Sequence, residues 1–406
     1  MPAMHASAIR LDSTTTLIVV AVLALLAVIA VPVFWDKWGW KKTGRATSTV
    51  AAVILLVTGS GLALNIVGGF FPTLGSLLGT SVNPGEGTNA DAGENGSGLG
   101  RLQDANAQRA REGKSSVLHM TVKGQRTGIT RDVNLYLPPE YSDPSYRDYV
   151  FPVIEWIPNY PSGPEVAVGP YHLPDALDAA RVKGLLPPSV VIIPDPSGEP
   201  RIGHDTECVD EANGHANDTY LSSDIRNWAI HTLHVNPDRK AWTIAGWSSG
   251  GYCALDLVSR HPQWYANAAS VSGYDKASID AETEDLFHGR KDISDANTIS
   301  LNLQRHPSPV ELLIIAGAKE KDEKASIDTI RHAITGPTVM YSWIIPDAGH
   351  NMNTFKSQLP DVLSWIGSKS AAPRPKTDQH IESSGGVKAW PLPHTGGHGA
   401  LTDVES

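Results

Sequence analysis

One stretch constrains this chain of 406 residues more than any other: residues 17–34, LIVVAVLALLAVIAVPVF, 18 positions without a charge. A helix of that length and polarity can cross the hydrocarbon of a bilayer. The run is long for a cleaved leader, its N-terminal flank offers only Arg10, and no small-x-small site closes it. A second uncharged stretch follows at residues 46–71, and Gly59, Gly61, Gly68 and Gly69 within it suit close helix packing in lipid. The sequence therefore predicts an N-terminal segment, residues 1–72, with membrane helices over about 16–35 and 46–69.

The short loop between the two stretches reads WDKWGWKKTGR, with Lys37, Lys41, Lys42 and Arg45 against Asp36. Positive loops stay in the cytoplasm, which puts the N-terminus and everything after about residue 72 outside. Trp35, Trp38 and Trp40 fall where interfacial aromatic residues belong. The expected location is the cell membrane, multi-pass, with an extracytoplasmic domain.

Residues 73–116 are rich in Gly, Asn, Ala and Ser, too polar to offset chain entropy by burial, and read as a flexible linker; 102–111 could form a short polar helix. Residues 371–406 read as a disordered tail for the same reason. Net charge is −10, from 33 basic and 43 acidic residues, with no long basic run, so a nucleic-acid partner is not expected. Two cysteines exclude a disulfide-rich scaffold and a four-cysteine zinc site.

Residues 117–370 remain, long enough for one sizeable core. Residues 117–122 and 133–137 read as paired strands, and 151–157, 190–193, 241–245, 312–316 and 339–345 as further, buried strands. Helical segments fall between them, at 173–182, 219–232 and 252–260. Short apolar strands alternating with helices mean an α/β fold, a mostly parallel sheet covered on both faces.

The chemistry begins at Gly246-Trp247-Ser248-Ser249-Gly250, placed between a predicted strand and a predicted helix. A sharp strand-to-helix turn exposes a serine hydroxyl at the end of the sheet, beside free N–H groups of a helix N-terminus. The plainer reading is a tight turn of buried small residues. A nucleophilic serine needs a base, and His350, in the loop after the last predicted strand, is the candidate. The base needs an orienting carboxylate, expected after the strand at 312–316. Glu320 is favoured there, Asp322 is the alternative acid and Glu323 a distant third. The oxyanion hole needs two donors. One is the backbone of Ser249. The other comes from the loop after 151–157, where Pro158 and Pro161 lack N–H groups, so Asn159 or, preferably, Tyr160 must supply it.

Residues 117–367 resemble the esterase D-like branch of the α/β-hydrolases, which includes the secreted mycolyltransferases of actinobacteria. The pieces that carry the resemblance are LYLPP (135–139), FPVIEWIPNYPSG (151–163), AGWSSGGYCAL (245–255), HPQWYANAASVSGY (261–274) and DAGHN (347–351). Ser248 and His350 match that family's nucleophile and base, and Glu320 stands where it places its acid. The resemblance implies acyl transfer from a small-molecule or lipid ester, through an acyl-enzyme, to water or a sugar hydroxyl, without a cofactor.

Cys208 and Cys253, in an extracytoplasmic domain, suggest one disulfide closing 45 residues; the alternative is two buried thiols. The loop around Cys208 offers His204, Asp205, Glu207, Asp210, Glu211 and His215, read as an acidic solvated loop lining the active-site mouth rather than a metal site. The stretch 276–292 is expected to be helical and, with the loop 161–172, to shape the acyl or acceptor pocket. The contrasting class is a catalytically inactive, membrane-tethered scaffold or binding protein. Against it stands the survival of nucleophile, acid and base in the order Ser248, Glu320 or Asp322, His350.

Overall fold

The computed structural model describes residues 10–11, 13–34, 41–68, 74, 109–198, 203–283, 285–376 and 402–404. The chain divides into two compact units, Met1–Pro84 and Gly85–Ser406.

The first unit is a pair of helices, α1 (Thr14–Phe34) and α2 (Lys41–Gly68). Both are long and apolar enough to cross a membrane, over Thr14–Val33 and Thr43–Ile66. Leu, Val and Ile side chains of both helices point outward, while Ala24, Ala52 and Leu62 are buried where the helices meet. Small residues permit this contact: a Cβ on Gly59 would lie 3.7 Å from Val20 Cγ1. The tryptophans of the connecting loop, at 35–40, lie outside the described residues, as does most of the expected linker, 75–108.

The second unit is built on one sheet. Its strands in chain order are β1 (Ser116–Lys123), β2 (Thr130–Leu137), the short β3 (Tyr149–Val150), β4 (Val153–Ile157), β5 (Val190–Pro194), β6 (Trp242–Trp247), β7 (Asn267–Val271), β8 (Glu311–Gly317) and β9 (Val339–Ile345), then two short ones, β10 (Arg374–Pro375) and β11 (Thr402–Val404). Among the described residues nine strands form the sheet, in the order β1-β2-β5-β4-β6-β7-β8-β9-β11. β2 runs antiparallel to β1 and to β5, whereas β5, β4, β6, β7, β8 and β9 are parallel. This is the α/β-hydrolase sheet, a mostly parallel sheet with an antiparallel hairpin at one edge.

Both faces are buried because successive strand residues point to opposite sides. Val153, Ile157, Leu312 and Ile314 join one core, with Leu255, Leu257 and Val258 of α4 (Ser249–Arg260) and Ile327 and Ile330 of α5 (Lys321–Ala333). Ile154, Trp156, Leu313 and Ile315 join the other, with Leu173 and Leu177 of α3 (Leu173–Val182) and Phe355, Leu359 and Leu363 of α6 (Met352–Lys369).

Three sequence expectations change. β7 carries Asn-Ala-Ala-Ser-Val, without the bulky apolar run that marks its neighbours. Small residues are needed there: a Cβ on Gly251 of α4 would come 2.7 Å from Ser270 Oγ, so helix and strand are nearly in backbone contact. Residues 276–283 and 285–290 are not helical: Lys276 bridges to Thr298, irregular backbone and turns follow, and the helix begins only at Lys291–Ala296. Asp280 explains part of this, because its side chain accepts from Glu282 N–H and Thr283 N–H, and Glu207 captures Ser278 N–H. Such local bonds compete with the helical ladder. The expected tail adds two pairings, β10 on β3 and β11 on β9, the latter capping the N–H and C=O groups of an edge strand; residues 377–401 lie outside the described residues.

Cys208 and Cys253 form a disulfide, with Cα atoms 5.7 Å apart, tying the loop after β5 to α4. Closing 45 residues in the unfolded chain stabilises the fold by about 4 kcal/mol in the chain-entropy model. Cys208→Ser is expected to lower the denaturation free energy of the full chain in detergent by about that amount. A loss under about 1 kcal/mol would show the bridge to be thermodynamically idle.

Candidate active site

β6 ends in a turn that holds Ser248 at φ 58° and ψ −125°, a conformation strained for any residue with a Cβ. Two glycines permit it. A Cβ on Gly246 would collide with the Gly250 carbonyl, and one on Gly250 with the Ile157 carbonyl of β4. Ser248 N–H donates to Val271 O of β7 at 2.9 Å, fixing the turn between its strands. α4 starts at the next residue, so Ser248 Oγ stands at a helix N-terminus with its unpaired donors.

His350 Nε2 lies 2.9 Å from Ser248 Oγ. Its ring stacks on Trp247 at 5.5 Å between centroids, and Trp247 stacks in turn on Phe355 at 5.1 Å. On the other side of the ring, Nδ1 is 2.8 Å from Glu320 Oε1 and 3.3 Å from Glu323 Oε1. Asp322, the alternative acid, makes no ion pair with His350 among the described residues. Glu320 stands at the residue before α5, without a capping side-chain bond, and Glu323 lies in the first turn. Residues three apart share a helix side, whereas Asp322 is turned away from it.

Glu320 is held firmly. Its Oε2 accepts from Ser272 Oγ at 3.0 Å and from Gly317 N–H. Burial alone would raise its pKa, but the donors His350, Gly317 N–H and Ser272 outweigh burial and hold the carboxyl below its usual value. The acid and base loops are joined by backbone bonds, Ala318 N–H to Ile345 O and Lys319 N–H to Ala348 O, both 2.9 Å. They approach so closely that a Cβ on Gly317 would strike Ala348 O. Burial pushes His350 down, yet the hydrogen bonds and charges of Glu320 and Glu323 prevail and raise it from 6.5 to about 9.

The two expected oxyanion donors face each other. Ser249 is the first residue of α4, and Tyr160 N–H donates to Ser249 Oγ at 2.7 Å. A carbonyl oxygen reaching Tyr160 N–H must therefore share or displace the Ser249 hydroxyl. The Tyr160 phenol donates to Glu282 Oε2 at 2.6 Å, and burial together with that carboxylate lifts it to about 12.

The loop around Cys208 is less solvated than its composition suggests. Glu207 is buried and accepts from Tyr274 Oη at 2.7 Å and Ser278 N–H at 3.1 Å. Burial and the neighbouring Asp205 carboxylate raise its pKa well above the usual range, and burial raises Asp205 to about 7. Glu211 accepts from Asn217 Nδ2 at 3.0 Å, Asp210 from Thr219 Oγ1 at 2.7 Å, and the His204 and His215 rings stand 6.1 Å apart. These side chains are spent on holding the loop.

Trp247, Ser272 and Glu323 are the site residues that sequence reasoning passed over or ranked last. Trp247 was open to inspection as the variable position of the serine motif. Nothing in the sequence marks Ser272, because only the sheet brings it to Glu320.

The fold and this constellation define an esterase-class protein of α/β-hydrolase fold. The chain belongs to the Esterase family, described as "Putative esterase", which matches residues 124–366. It is 25% identical over 253 residues to an uncharacterized protein of Corynebacterium glutamicum, covering 59% of this chain and 57% of that one. It is 40% identical over 57 residues to the MPT51 antigen of Mycobacterium leprae, covering 14% of this chain and 18% of the antigen. The chain thus spans little more than half of the first relative and under a fifth of the second. Among solved structures, it is similar to a ferulic acid esterase (TM-score 0.52, 17% identity, 62% of this chain and 97% of the other). It is also similar to an S-formylglutathione hydrolase from Agrobacterium tumefaciens (TM-score 0.53, 13% identity, 62% and 95%). Identities this low speak for the fold alone.

An imidazole raised to about 9 is mostly protonated at neutral pH. In the full chain the His350 ring, followed by NMR, is therefore expected to titrate near pH 9. A midpoint near the ordinary 6.5 would contradict the raised pKa.

Proposed function

We propose that the chain is a membrane-anchored serine esterase or acyltransferase working through an acyl-enzyme, with Ser248 as nucleophile, His350 as base and Glu320 as the orienting acid. The observation that carries this reading is the position of His350 between serine and carboxylate, with Nε2 2.9 Å from Ser248 Oγ and Nδ1 at ion-pair distance, 2.8 Å, from Glu320 Oε1. His350 removes the serine proton as Oγ attacks the ester carbonyl. The charge that develops on the carbonyl oxygen is met by Ser249 and Tyr160 N–H, and the imidazolium then protonates the leaving alcohol. Water or another hydroxyl resolves the acyl-enzyme by the same steps in reverse.

A groove of about 860 Å³ runs between α5 and residues 274–279 with Phe287, and it meets the site at Glu323. Polar side chains (Lys276, Ser278, Thr329) and apolar ones (Ile279, Phe287, Ala325) line it together. In this reading α1 and α2 are the anchor, supported by their length and apolarity, and the basic residues between them support an extracytoplasmic catalytic unit.

A membrane-impermeant fluorophosphonate applied to intact cells tests both halves. The wild-type chain is expected to be labelled and Ser248→Ala not, with hydrolysis of a p-nitrophenyl ester falling about 10⁴-fold or more. Labelling confined to lysed cells would reverse the topology. Undiminished labelling or turnover in Ser248→Ala would remove Ser248 as the nucleophile.

A further inference from the structure

We infer that Glu323 is a second carboxylate on the base, lying with Glu320 at ion-pair distance from Nδ1 of His350 and setting how tightly the ring holds its charge. The inference rests on the reading of His350 as the base. An orienting acid needs only one carboxylate, and Glu320 already fills that role, with Oε1 2.8 Å from Nδ1 and Oε2 held by Ser272 and Gly317 N–H. Glu323 is different. Its Oε1 lies 3.3 Å from Nδ1, its side chain is 18% exposed against 1% for Glu320, and His350 is its polar partner in the structure. It stands in the first turn of α5, where the helix favours an ionised carboxylate.

The surroundings leave these two charges in control of the ring. From β6 come Trp247, a neutral stacking face, and Ser248. α6 contributes Phe355 beneath Trp247, and the turn after β7 contributes the Ser272 hydroxyl, bound to Glu320. In the acid loop, the Lys319 Cβ lies 3.8 Å from where Gly349 would carry one, and the Lys324 ammonium donates to Ala318 O at 3.1 Å. Asp322 lies on the groove side of α5, and Asp275 across the groove is held by Ser300. Two carboxylates on one Nδ1–H stabilise the imidazolium more than one does, at the expense of the neutral base. The ring is 39% exposed, so water screens part of this effect without abolishing it.

Glu323 thus trades speed at neutral pH for a stronger base at high pH, and its removal is a gain of activity at pH 7 rather than a loss. The test uses the full chain in detergent micelles with labelled histidine, the His350 ring signal being identified by its absence in His350→Gln. The imidazole titration midpoint of Glu323→Gln is expected to fall by about one pH unit, with the acid limb of kcat/KM for a neutral p-nitrophenyl ester moving equally, so that turnover at pH 7 rises about tenfold. Glu323→Asp, which keeps the charge but withdraws it, is expected to fall between the two. A midpoint unmoved in folded Glu323→Gln, or in Glu323→Asp if the first variant does not fold, overturns the inference. The ring titrates whether or not the protein turns over ester. A shifted midpoint in a protein lacking Ser248-dependent turnover would therefore uphold Glu323's hold on the ring and sink the esterase reading instead.

Discussion

The active end of the sheet depends on one close approach. The α-carbon of Gly250 lies against the Ile157 carbonyl, with no room for a Cβ between α4 and β4. That contact allows the chain to reverse from β6 into α4 within the Ser248 turn, and the positive φ of Ser248 follows from it. Strain of this kind persists only where its surroundings over-determine it. Here the Ser248 N–H bond to β7, the Gly246 contact with the Gly250 carbonyl and the packing of Gly251 on Ser270 all press in the same direction. β7 is built of small residues for the same reason.

The second arm of the site is assembled at another pair of strand ends. β8 and β9 run parallel, so the loops leaving them emerge side by side, and backbone bonds lock the acid loop to the base loop. Glu320 and His350 consequently meet without either side chain having to reach far. Trp247 then closes the arrangement from the end of β6, giving the imidazole a flat apolar face. An imidazole between an apolar face and two carboxylates is held by charge on one edge and by packing on the other, which is why burial and electrostatics pull its proton affinity in opposite directions.

The mouth of the site shows the opposite use of carboxylates. Glu207 and Asp205 are buried close together; burial raises both carboxyls, helped at Glu207 by the Asp205 charge and at Asp205 by Asp280 and Glu282. Glu207 is a hydrogen-bonding strut for Tyr274 and Ser278, and Asp205 accepts from Glu207 N–H, while the adjacent disulfide pins the same loop to α4. The segment beyond, 276–283, is thereby shaped from outside itself, which is why its own helical propensity does not decide its conformation. This segment forms one wall of the groove that meets the site at Glu323, so the shape offered to a substrate depends on side chains distant from it in sequence.

The sequence by itself determined the division of the chain into an apolar helical pair and an α/β unit. It also marked the strands with dense apolar runs, the helix 173–182 to the residue, and Ser248, His350 and Glu320 as the residues to watch. Those features are local: hydrophobic periodicity, glycine spacing around a serine, and polar residues just past a strand end all write themselves into neighbouring letters. Only the tertiary structure decided which carboxylate faces the imidazole, because Glu320, Asp322 and Glu323 are equal as letters and differ only in their direction around α5. It likewise decided that β7 is a strand, that 276–283 is not helical, and that Glu207 is buried. Each of these outcomes depends on partners from elsewhere in the chain, Ser270 against Gly251, Glu207 against Ser278 and Tyr274, and a contact between distant residues leaves no trace in the stretch it reshapes.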